Sequence, residues 1–135
     1  MCRQQTAYTC GPAAAVTGLK KLGVESSEGD LAIAMGTCPA LGTQSDVMAA
    51  VLAERFGKQG VSCDYRTFGS IAELPRNVPT LAVIRYNVLI DHFIVVLGVT
   101  DDQVTVGDPL NGTTICTHAE FARIWKFSGI VLRKG

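Results

Sequence analysis

The chain is short of net charge, of long apolar runs and of paired cysteines, and each shortage removes a class of function. Charged residues make up 18% of the sequence, and 12 Lys and Arg balance 12 Asp and Glu. That balance leaves neither the basic field on which nucleic-acid binding depends nor a polybasic patch for an anionic membrane surface. A membrane span needs roughly 18–20 apolar residues. The longest apolar run here, residues 93–99, is of strand length and contains Gly98. The opening MCRQQTAYTC lacks the apolar core of a signal peptide. Of the five cysteines, Cys2, Cys10, Cys38, Cys63 and Cys116, no two form a CxxC pair. A zinc site of the usual spacing is therefore not expected, and no metal or cofactor is required. An odd, scattered set of cysteines suits a reducing compartment. With no signal peptide, it points to the cytoplasm and leaves export open.

What is present fits one domain. A chain of 135 residues buries roughly 65–70% of its unfolded surface, enough for a core without disulfides or metal. Its first part reads as helical: 11–22, stopped by Gly23; a short helix over 30–35; and 44–56, capped by Thr43 or Ser45 and ending before Gly57. The character changes near Gly60. Strands are expected over 61–68, 80–86, 93–99, 103–106, 113–117 and 130–133, with a helical turn over 70–74 and a helix over 118–126. Helices first and strands later argue for an α+β fold with a mostly antiparallel sheet. We expect a helical lobe over about 1–59 and a sheet lobe over about 60–135.

Four residues suggest chemistry. Cys10 stands just before Gly11-Pro12 and a helix, where the dipole and unpaired backbone N–H groups favour thiolate and can hold an oxyanion. His92, one of two histidines, opens the most apolar strand, a rigid mount for a general base. Asp108 ends the following strand; if the two strands form a hairpin about Asp101-Asp102, it lies near His92 and can orient the imidazole. Gln4, with Gln5 as its neighbouring candidate, offers a side-chain amide for an oxyanion. Alone, three of them have plain structural explanations, a small buried thiol, a hydrogen-bonded strand histidine and a turn Asp before Pro, and the Gln by itself means nothing. Together, in this order, they supply what thiol acyl transfer needs.

The remaining candidates read as structural. Cys38 is expected in a loop, Cys63 and Cys116 on strands, and His118 at a helix start in a surface or capping role. Phe121 and Trp125, four apart, are expected on the last helix as core. Asp46 reads as a helix-start acid.

The pattern Gln4-x5-Cys10-Gly11-Pro12-Ala13-Ala14, then Asp91-His92-Phe93-Ile94-Val95-Val96, then Gly107-Asp108-Pro109 with Gly112, resembles the bacterial cysteine peptidase family C39. These are papain-like domains known for cutting leader peptides after a double glycine. The resemblance implies Cys10 as nucleophile, His92 as base and later acid, and Asp108 as its orienter. It places Gln4 with the Cys10 N–H in an oxyanion hole. It further implies a peptide or protein substrate and a transporter or other domain as a partner outside this chain. Thr9 stands where transporter-linked members carry Asp, and their membrane spans and ATPase are not in this sequence. A related thiol acyltransferase or amidase, or a non-catalytic peptide-binding domain of the same fold, remains open.

Overall fold

A computed structural model describes residues 10–37, 45–74, 78–85, 91–108 and 112–135. Helix α1 (Cys10–Lys21) is followed by α2 (Glu28–Ala34) and α3 (Ser45–Phe56). Strand β1 (Val61–Thr67) leads to a 3-10 turn (Ile71–Glu73) and then to β2 (Thr80–Arg85), β3 (Asp91–Val99), β4 (Gln103–Asp108) and β5 (Gly112–Thr117). Helix α4 (His118–Ile124) and strand β6 (Trp125–Lys134) complete the fold.

The local causes are legible. The Ser27 hydroxyl caps α2 by accepting from the Asp30 N–H at 3.1 Å. Thr117 caps α4 in a capping box with Glu120. The Ala-rich face and Gly18 of α1 let it close on the sheet: a Cβ at Gly18 would lie 2.9 Å from Leu132 Cδ1.

The six strands form one sheet in the order β1-β6-β2-β3-β4-β5, with every described neighbour antiparallel. The fold is α+β, as the sequence implied. One sheet face buries Leu81, Val83, Phe93, Val95, Ile130 and Leu132 against α1, α2 and α3. The other buries Ala82, Ile84, Ile94, Val96, Val104 and Val106 against Phe68, Leu74, Phe121 and Trp125. Alternation along β2 and β3 thus feeds two cores, one on each side of the sheet.

One expectation needs correction. Trp125 is not on the last helix but starts β6: its backbone is extended at φ −75, ψ 134, and β6 runs from there to Lys134. The final strand is longer than the expected 130–133 because its first part is irregular. Phe127 within it adopts a left-handed φ of 54, a conformation that costs a bulky residue on the order of 1–3 kcal/mol. The helix therefore ends at Ile124, although Phe121 and Trp125 remain core neighbours with ring centroids 5.2 Å apart.

Candidate active site

Cys10, His92 and Asp108 converge at the end of the sheet where β3 begins and β4 ends. Helix α1 packs on β3 and brings its first residue, Cys10, to His92 and Phe93. The Cys10 sulfur is hydrogen-bonded to the His92 side chain and accepts from the backbone N–H groups of Phe93 and Gly11. The Gly11 N–H belongs to the first helical turn, whose donors have no intrahelical acceptor.

Asp108 meets His92 through the ladder register. Val95 pairs with Gly107, so Asp108 falls opposite Ile94, and His92 is two residues from Ile94 on the same face. The two side chains form a diagonal cross-strand pair. His92 Nε2 donates to Asp108 Oδ1 at 2.8 Å, with the side chains only 5% and 14% exposed. A bulge decides this geometry. Val96 pairs with Val106 but Gly98 with Thr105, so Leu97 is an extra residue in β3. Carrying the register of the Asp101-Asp102 turn back with Leu97 kept in the ladder would set Asp108 opposite Val95, on the face away from His92.

The electrostatics follow from the partners. Burial pushes the Cys10 thiol up, but the His92 hydrogen bond, the Phe93 N–H, the His92 charge and the Gly11 N–H outweigh it and lower its pKa below the ordinary thiol value. Burial pulls His92 down, but hydrogen bonds to Cys10 and Asp108 and the charges of both raise it above the ordinary imidazole value. A lowered thiol beside a raised imidazole favours a thiolate–imidazolium pair. Cys63, by contrast, has burial alone acting on it and is pushed up to about 11; burial and the nearby Glu120 also raise Cys116. At pH 7 a thiol of pKa about 11 is thiolate in roughly one molecule in 10⁴. Iodoacetamide at pH 7, followed by peptide mass spectrometry, should therefore label Cys10 at least about 10²-fold faster than Cys63.

Of the other sequence candidates, Gln4, Gln5, Thr9, Cys2 and Cys38 lie outside the described residues. Asp46 is exposed, and its Oδ1 accepts from the neighbouring Val47 N–H. His118 Nε2 lies 2.7 Å from the Thr100 carbonyl oxygen and ties α4 to the β3–β4 turn, the structural role expected of it. Among the described residues no His, Cys, Asp or Glu group could hold a metal ion, and no helix is long and apolar enough to cross a membrane. Sequence reading missed the Phe93 N–H, because a backbone donor carries no side-chain signal.

Comparison with known proteins identifies the family and the fold. Residues 1–134 match the model of the peptidase C39 family. The chain belongs to the peptidase C39 family. A relative of this C39 member, an uncharacterised protein of Methanothermobacter marburgensis, is 35% identical over 130 residues, covering 96% of this chain and 84% of the relative. The peptidase domain of Streptococcus ComA, a bifunctional ABC transporter of a quorum-sensing pathway, superposes with a TM-score of 0.83 at 21% identity, over 99% of this chain and 97% of that one. A double-glycine-motif protease from an AMS/PCAT transporter, solved with its leader peptide, gives a TM-score of 0.83 at 17% identity, covering 100% of this chain and 91% of the other. The fold of this C39 member is thus that of peptidase domains, and its family is one of cysteine peptidases.

Proposed function

We propose that the chain hydrolyses a peptide bond in a precursor or leader peptide through a Cys10–His92–Asp108 triad. The observation that carries this reading is the sharing of one imidazole: His92 Nε2 is held by Asp108 at 2.8 Å, which leaves Nδ1 for the Cys10 thiol. The carboxylate fixes the tautomer and orientation and favours the imidazolium that forms.

In the proposed reaction the Cys10 thiolate attacks the scissile carbonyl carbon, forming the C–S bond and an oxyanion. The Cys10 backbone N–H at the start of α1 is the proposed main-chain donor to that oxyanion, and Gln4 is the proposed side-chain donor. As the C–N bond breaks, the His92 imidazolium gives its proton to the leaving amine. His92 then takes a proton from water, whose oxygen attacks the thioester carbonyl and releases Cys10 and the free acid. No cofactor enters these steps. The precursor-peptide class is supported by the fold shared with a protease solved with its leader peptide, and a transporter or secretion partner by the ComA likeness.

The test is a digest of precursor peptides in H2¹⁸O, read by mass spectrometry. The expected result is a new C-terminal carboxyl carrying ¹⁸O. Product joined to an added amine, without ¹⁸O, would move the chain to the transferase reading. Binding without any cleavage, while Cys10 labels selectively, would make it a peptide-binding domain.

A further inference from the structure

Resting on that reading, we infer that Ile84 and Trp125 are positioning residues that hold the His92 imidazole from behind, and that the irregular start of β6 serves to seat Trp125 in that role. His92 pairs with Ile84 across β3 and β2, and Ile84 pairs with Trp125 across β2 and β6. The three side chains therefore form one row on one face of the sheet, with Asp108 at the His92 end. All three are buried, and Ile84 and Trp125 belong to the same apolar cluster. Directly opposed side chains have Cβ atoms about 4.5–5.5 Å apart, so Ile84 is the wall against which the imidazole rests.

The β2–β6 register explains how Trp125 reaches the row. Ala82 pairs with Gly129 but Ile84 with Trp125, so two steps along β2 match four along β6. In an unbroken ladder Phe127 would face Ile84. Instead Lys126, Phe127 and Ser128 form a bulge, with Phe127 in the left-handed region, and Trp125 takes the place. The bulge is closed from both ends. Trp125 Nε1 donates to the Ser128 carbonyl oxygen at 3.1 Å, and the Phe127 ring stacks on Trp125 at 4.5 Å. On the far side Gly129 returns to β2 so closely that a Cβ would lie 2.7 Å from the Leu81 carbonyl oxygen. Phe68 completes the packing, 5.2 Å from the Trp125 ring. Bulges beside active sites commonly re-aim a side chain, and an off-target shift of about 1 Å in a catalytic group can cost about 10²-fold.

The experiment compares Ile84→Ala, Ile84→Val and Trp125→Phe with Val104→Ala, a truncation in the same cluster outside the row. The readouts are the pH dependence of Cys10 alkylation, which needs no substrate, and kcat and KM on a cleaved peptide. Ile84→Ala should move the acid limb of alkylation towards the ordinary thiol value and lower kcat at least about tenfold with KM within about twofold. Ile84→Val should restore most of this, and Trp125→Phe should move the limb in the same direction by less. Val104→Ala should lower the melting temperature and leave the limb in place. An unmoved limb in Trp125→Phe, or an equal shift in Val104→Ala, overturns the inference even if Ile84→Ala does not fold. Slow, unselective Cys10 alkylation in the wild type would instead overturn the triad reading beneath it.

Discussion

Cys10→Ala should abolish peptide cleavage, with a loss of at least about 10³-fold in kcat. The magnitude follows from how the proposed reaction is divided. Every step proposed for His92 and Asp108 depends on attack by the thiolate, so removing the nucleophile silences all three, and the residual rate comes from binding and oxyanion contacts alone. The fold should tolerate the change, because Cys10 is only partly buried at the first position of α1. The variant therefore becomes a substrate trap, and titration calorimetry should show peptide binding without turnover. A second signature accompanies it. Cys10 helps to raise the His92 pKa through a hydrogen bond and its charge; without them His92 should titrate at lower pH, as read by the imidazole resonances in NMR. Retained cleavage would place the nucleophile elsewhere.

Asp108→Ala should cost about 10²–10⁴-fold in kcat, and Asp108→Asn, whose amide oxygen can still accept from His92 Nε2, should cost less. The 2.8 Å bond from Nε2 supplies both direction and charge. Alanine removes both, whereas an asparagine oxygen still accepts from Nε2 and keeps the ring turned to Cys10. What asparagine loses is the charge that raises His92. The sign is fixed by that raising. The His92 imidazolium persists above the ordinary imidazole pKa in the wild type, so the alkaline limb of kcat/KM lies above it and should move to lower pH in Asp108→Asn. The acid limb belongs to Cys10, which His92 lowers; it should move up as the imidazolium weakens. A narrowed bell is the expected profile, and an unchanged one would show that Asp108 does not act through His92.

Much of this arrangement was legible because it is local. Gly23 and Gly57 marked helix ends, the run from His92 to Val99 marked a buried strand, and Asp101-Asp102 marked the turn that makes β3 and β4 a hairpin. Cys10, His92 and Asp108 could be proposed from residue type and order, and the structure brings them together. The side of the sheet that Asp108 faces was not legible. It depends on the extra residue Leu97, and a bulge in an apolar strand has no distinctive composition. Trp125 was misplaced for a similar reason. Its spacing from Phe121 suits a helix, and only tertiary packing against Ile84 and Phe68 pulls it into the sheet. The longer β6 then appears irregular because four of its residues span the length of two in β2.

The Leu97 bulge also bears on how such a site changes over generations. A plain strand has strict parity: one residue gained or lost between turn and histidine sends the carboxylate to the wrong side. Here the odd residue is held out of the ladder, with regular pairing on either side. A chain that lost Leu97 would close to the ordinary register and still set Asp108 opposite Ile94. The separation of histidine and aspartate along the sequence is thus free to drift by one while their contact is kept. A search that demands one fixed interval between the two would pass over relatives with the same site.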